Sequence, residues 1–162
     1  ILGNLPYNIS TKILSNWCLN KKLNVSKMIL MFQKEVAERI LADVNSKEYS
    51  RISILSKWKF DIKKVTDVKP NSFFPKPKVY STVLEFIPKK KFYEIKDPKN
   101  LEKVTKVFFS QRRKMIKKPI SILFKNFQFN YKKFNIKPTD RPQNIDINIY
   151  LKIVSEYESL GS

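Results

Sequence analysis

Asn4, Leu5, Pro6 and Tyr7 stand between a short apolar lead, Ile1-Leu2-Gly3, and a serine, Ser10, that can cap a helix. A strand end feeding a helix is where open α/β sheets bind ligands. The residue types suit methyl transfer to an exocyclic amino nitrogen of a nucleobase. That nitrogen is a poor nucleophile because its lone pair is delocalised into the ring. Acceptors aimed at its two hydrogens would pull it toward tetrahedral geometry and turn the lone pair toward a methyl donor. The Asn4 side-chain carbonyl and a main-chain carbonyl near Leu5 or Pro6 could do this, with Pro6 fixing the turn. Tyr7 supplies a ring for the base to stack on. No general base of raised pKa is needed, since the proton can leave after alkylation. The other reading of the tetrapeptide is an ordinary turn with a core tyrosine.

A second segment, Phe73-Phe74-Pro75-Lys76-Pro77-Lys78-Val79, holds aromatics in a proline-stiffened frame with lysines beside them. An enzyme that works on an extruded base needs an aromatic on the base's other face, and the proline frame can hold one there. Lys76 and Lys78 can meet phosphate. Alternatively the segment is a stiff crossover loop whose phenylalanines fill the core, and at least one of Phe73 and Phe74 is expected to do so.

Composition narrows the chemistry. The chain has no histidine, which removes Ser-His and Cys-His nucleophile pairs and the usual zinc sites, so no metal is expected. Its one cysteine, Cys18, shares a helical face with Leu14 and Trp17 and reads as a buried structural thiol in a reducing, cytoplasmic compartment. No apolar run reaches the ~20 residues that span a bilayer, and no membrane partner is expected. The net charge of +19, spread along the whole sequence, attracts polyanions, nucleic acid first. An AT-rich genome would inflate lysine in the same way.

The elements that must position these residues alternate. A helix is predicted from Ser10 or Thr11 to about Asn20, and a strand at Met28–Phe32 buried on both faces of a parallel sheet. A helix follows Gln33-Lys34-Glu35, with Val36, Ile40 and Leu41 inward. Another short helix is predicted over Tyr49–Leu55. Trp58–Ile62 and Val79–Ile87 alternate like strands, and three prolines between them forbid helix. Pro88-Lys89-Lys90-Lys91 looks like a linker. Beyond it Asp97-Pro98 caps a helix carrying Leu101, Val104 and Phe108, and further helical stretches lie near Ile120–Phe124 and Ile147–Tyr157.

Asn4-Leu5-Pro6-Tyr7-Asn8-Ile9-Ser10, Phe32-Gln33-Lys34-Glu35-Val36-Ala37-Glu38-Arg39 and Phe73-x-Pro75-x-Pro77-Lys78-Val79-x-Ser81 resemble successive motifs of the rRNA adenine N6-dimethyltransferases, in that family's order. Asn45 to Arg51, Phe109-x-Gln111-Arg112-Arg113-Lys114 and Arg141-Pro142-Gln143-Asn144 resemble its bacterial small-subunit branch, the KsgA family. The resemblance spans nearly the whole chain. It implies an α/β fold, the C-terminal half of a Rossmann-like class I methyltransferase sheet over residues 1–88, followed by a small all-helical RNA-binding domain over 89–162. It implies dimethylation of two adjacent adenosines near the 3′ end of 16S rRNA, with S-adenosylmethionine as donor and the small ribosomal subunit as partner. Asn4 would contact both the target amino group and the methionine end of the donor, and Tyr7 and Phe73 would flank the adenine. Arg112, Arg113 and Lys114, on the tail's first helix, would face RNA; a solvated helix face is the alternative.

The sequence departs from the family in one large respect. Members begin with a basic arm, a Gly-rich turn that cradles the donor and an acid for its ribose, whereas this chain has only Gly3 and Gly161. The expectation is a fragment of a longer protein, weak in donor binding, inactive alone and prone to self-association through open strands. The competing expectation is a non-catalytic RNA-binding or ribosome-assembly module on the same scaffold.

Overall fold

A computed structural model of the chain describes residues 1–125 and 127–160; Gly161 and Ser162 lie outside them. The elements run β1 (Leu2–Asn4), α1 (Ser10–Leu19), β2 (Met28–Gln33), α2 (Lys34–Leu41), α3 (Arg51–Lys59), β3 (Phe60–Val68), β4 (Ser81–Pro88), α4 (Pro98–Ser110), α5 (Lys117–Leu123) and α6 (Ile147–Ser159). Short 3-10 turns interrupt the connections at Pro70–Ser72, Tyr131–Phe134 and Pro142–Asn144.

The four strands form one sheet in the order β1-β2-β4-β3. Only β1 and β2 are parallel; β4 runs antiparallel to both of its neighbours. The sheet is therefore mixed, where a parallel one was expected. The physical reason lies in the 69–80 connection, which carries no crossover helix, so β4 returns beside β3 in the opposite sense. Nor is β2 buried equally on both faces. Met28, Leu30 and Phe32 are fully buried while Ile29, Met31 and Gln33 are only half-buried. Leu84 and Phe86 of β4 join the buried face, and Phe86 packs against Phe32 and Phe60 at centroid distances of 6.1 and 5.9 Å. On the more open face Glu85 forms ion pairs with Lys27 at 2.7 Å and Lys63 at 2.9 Å, which hold its carboxyl below the usual carboxylate range.

Two predicted boundaries move. The helix expected over Tyr49–Leu55 runs from Arg51 to Lys59, and the strand expected at Trp58 begins at Phe60. Ser50 starts α3 through a capping box with Ser53. Every residue from Ile52 to Ser56 is buried, so α3 is a central helix without a polar stripe. The turns of its serines satisfy local carbonyls, as when Ser56 Oγ donates to the Ile52 carbonyl at 2.6 Å. In α1 the predicted caps do not act. Ile9 is the N-cap residue, and Ser10 Oγ instead donates to the Tyr7 carbonyl at 3.2 Å.

The helical tail follows its sequence signals closely. Asp97 caps α4 by accepting from Lys99 N–H at 3.0 Å, Pro98 opens the helix, and Leu101, Val104 and Phe108 are fully buried. One continuous apolar core runs from Leu5 and Leu14 through α3 to Phe108, Tyr150 and Tyr157.

Candidate acceptor site

The parallel pairing of Asn4 with Met31 ends β1 beside the C-terminal end of β2. Gly3 permits the close approach of the strand to its neighbour: a Cβ there would stand 3.2 Å from Leu30 Cδ2 and 3.5 Å from Leu5 Cδ2. Leu5 is buried and anchors the segment in the core. The chain then turns, with Ile9 N–H donating to the Pro6 carbonyl at 3.1 Å, and enters α1. This leaves Asn4 and Pro6 exposed and Tyr7 half-buried.

The 69–80 connection closes the other side. Asn4, Leu5, Pro6, Tyr7, Phe73, Phe74, Pro75 and Pro77 line a single cleft of about 300 Å³. The two segments singled out in the sequence, some seventy residues apart, thus meet. The Tyr7 hydroxyl and Ser81 Oγ are 2.6 Å apart, one donating to the other, and Ser81 is fully buried at the start of β4. That bond fixes the tilt of the tyrosine ring. Ser81 was visible only as the last residue of a motif, and nothing in its local sequence marked it as the tether of Tyr7.

Neither phenylalanine fills the core. Phe73 is half-buried and Phe74 is wholly exposed, at 103% of its reference area. The expectation that at least one would pack inward fails because the three prolines hold the connection away from the sheet. Tyr7, too, stands outside the apolar core. Both rings are therefore available to a ligand.

The basic residues divide into two groups. Lys76 and Lys78 are exposed next to the cleft, in a neighbouring groove with Lys69. Arg112, Arg113 and Lys114 lie elsewhere, and not on a helix: α4 stops at Ser110 and they occupy the turn beyond it. The Arg112 guanidinium donates to the carbonyls of Ser46 and Lys47, whereas Arg113 and Lys114 are exposed. The three are not brought into the acceptor cleft.

Cys18 is fully buried, and burial pushes its thiol up to about 12. It is a structural thiol. Among the described residues no cluster of His, Cys, Asp and Glu could hold a metal ion, and no helix is long and apolar enough to cross a membrane.

Comparison with known proteins adds to this geometry. The family model "Ribosomal RNA adenine dimethylase" matches residues 1–159. A Pelagibacter ubique (strain HTCC1062) protein named "Ribosomal RNA small subunit methyltransferase A" is 54% identical over 162 residues, 99% of this chain and 62% of the relative. A protein of the same name from Malacoplasma penetrans (strain HF-2) is 40% identical, over 99% of this chain and 58% of its own length. The chain thus spans about three fifths of the curated relatives it matches. The crystal structure of a dimethyladenosine transferase from Plasmodium falciparum superposes with a TM-score of 0.81 at 27% identity, covering 99% of this chain and 66% of that one. That of the 23S rRNA methyltransferase ErmE, at 17% identity and a TM-score of 0.64, shares the fold.

Proposed function

We propose a function from one premise: the chain belongs to the ribosomal RNA adenine dimethylase family, whose model spans residues 1–159. The chain is the acceptor-side portion of an enzyme that dimethylates N6 of two adjacent adenosines near the 3′ end of 16S rRNA, a cytoplasmic step of small-subunit assembly. The observation that carries this reading is the single cleft that gathers Asn4, Leu5, Pro6, Tyr7 and Phe73. Residues 1–88 form its part of the methyltransferase sheet, and residues 89–162 its helical RNA-binding unit.

In this reading an extruded adenine enters between Tyr7 and Phe73. The Asn4 side-chain carbonyl accepts one N6 hydrogen. The Pro6 carbonyl is already engaged by Ile9 N–H, which favours the Leu5 carbonyl as the second acceptor. Together they turn the nitrogen lone pair out of the ring plane. The Ser81 tether keeps Tyr7 from rotating away, so part of the ordering cost is met before the base arrives.

S-adenosylmethionine supplies the methyl group in such a reaction. The described residues fit only the rim of its site, through exposed Asn4. Gly3 is the one glycine among them, and no acidic side chain lines the cleft to meet ribose hydroxyls. No donor step is therefore assigned to this chain alone, which is read as inactive by itself and open to self-association along β1. Titration with S-adenosylmethionine should show weak binding at most; tight one-to-one binding would refute the fragment reading.

In a chain restored to its relatives' length, Asn4→Ala should lower dimethylation of small-subunit RNA by two orders of magnitude or more (about 2.7 kcal/mol of barrier). Reverse-transcription stops at the target adenosines would measure it. Parental activity in that variant would refute the assignment of the site; absence of dimethylation in the restored parent itself would leave the second reading, a non-catalytic RNA-binding module, which the net charge of +19 favours. Arg113, Lys114 and Arg112 are the tail's proposed RNA contacts.

A further inference from the structure

The acceptor cleft borders a second groove that the proposed chemistry leaves unused, and Pro77 lines both. This groove, of about 500 Å³, is lined besides by Lys69, Pro70, Asn71, Lys76, Lys78 and Tyr80. It offers three ammonium groups and no carboxylate. Among the described residues none of the three lysines makes an ion pair. Asp67, at the end of β3, is occupied by Lys64 at 2.6 Å and Thr82 at 2.7 Å. A concave surface with unopposed positive charge concentrates anions.

Two aromatic side chains stand in water here: Tyr80, at 48%, lines the groove, and Phe74, wholly exposed, lines the adjoining acceptor cleft. The Tyr80 main chain is pinned, its carbonyl accepting from Lys34 N–H at 2.9 Å. The prolines at 70, 75 and 77 restrict the backbone that carries the lysines, so little freedom remains to be lost on binding. Lysines along a groove with exposed rings beside them match what unpaired nucleic acid needs, since phosphates find charge and open base faces find rings. A duplex keeps its base faces stacked and would leave both rings unused.

We infer that Lys69, Lys76, Lys78, Phe74 and Tyr80 form a subsite for the unpaired nucleotides beside the target adenosine. The lysines hold their phosphates, and Phe74 and Tyr80 stack their bases. The inference rests on the acceptor reading for which base is the target, but not for the binding itself.

The test uses this chain and a fluorescein-labelled RNA of about ten nucleotides, single-stranded or annealed to its complement, with anisotropy read across potassium chloride concentrations. The single strand should bind more tightly than the duplex. Phe74→Ala and Tyr80→Ala should each weaken it about fivefold or more. Replacing Lys69, Lys76 and Lys78 together by Ala should flatten the slope of log Kd against log salt by about 2. All five side chains are exposed, and unchanged circular dichroism would confirm that the variants fold. Parental affinity and slope in the variants, or equal affinity for duplex, would overturn the subsite. If groove variants lose RNA while Asn4→Ala in the restored protein still methylates, the subsite stands and the acceptor reading falls. If the groove variants bind as the parent does while Asn4→Ala abolishes methylation, the subsite alone falls.

Discussion

In the proposed site Asn4 and Tyr7 would do different work and should fail differently. Asn4 is held by the end of a strand, and its exposed amide is open to a ligand. Tyr7 is held through its hydroxyl by Ser81, 2.6 Å away, so its ring is oriented before any base arrives. Tyr7→Phe keeps the ring and loses the tether; the restored enzyme should lose activity about tenfold, roughly the 1.4 kcal/mol of a net hydrogen bond. Tyr7→Ala removes the stacking surface as well and should cost a further tenfold or more, at about 1–3 kcal/mol for a base on an aromatic ring. Single-turnover methylation rates would separate the two. Equal losses would mean that the hydroxyl, not the ring, is what matters at this position. The residue types of this cleft stood out in sequence because each suits a specific chemical task in the proposed reaction. Its tether did not, because a buried hydroxyl opposite a tyrosine leaves no pattern along the chain.

At the level of elements, legibility followed amphipathicity. In α4 an Asp-Pro start and inward residues at positions 101, 104 and 108 mark both the cap and the buried face. In α3, Arg51–Lys59, both flanks are buried, so the helical period is erased and the sequence read as a helix that stopped early followed by a strand. Sheet sense was equally hidden, because β2 is apolar whichever way its neighbours run. The start of α4 also has a partner that local reading could not reveal. Glu158, near the end of α6, accepts from Lys96 N–H at 3.0 Å, Asp97 N–H at 2.9 Å and Asn100 Nδ2 at 3.0 Å. The cap and this carboxylate hold different donors, so the cap's contribution should be separable. Asp97→Ala is expected to cost about 1 kcal/mol, typical of a lost N-cap, and so to lower the Tm by about 3 °C. A thermal melt of the variant against the parent would read it; an unchanged Tm would show that Glu158 alone holds the helix start.

Across the whole molecule, the segments that resembled the small-subunit branch converge on one seam. Asn45, in the left-handed region at φ 71°, donates its N–H to the Gln143 carbonyl at 2.8 Å and accepts from Asn144 Nδ2 at 2.9 Å. Tyr49 donates to the Ile145 carbonyl at 3.2 Å, and its ring meets Phe109 edge-on at 6.2 Å. Arg112 closes the same seam on the carbonyls of Ser46 and Lys47. These segments therefore join the sheet-bearing part to the helical tail, which explains why they carry information without belonging to the acceptor cleft. Burial and the nearby carboxylates of Asp146 and Asp43 push the Tyr49 hydroxyl's pKa up, so it remains a donor throughout the neutral range. If the tail were an independent unit, loosening this seam would leave the melting of residues 1–88 untouched. With a core that runs unbroken across the proposed boundary, the two parts should instead melt together. Tyr49→Phe leaves a buried carbonyl without its donor and should cost about 1–3 kcal/mol, seen by calorimetry as one transition moved down as a whole. A trace that splits, with only one component displaced, would show that the tail folds on its own and that the seam merely docks it.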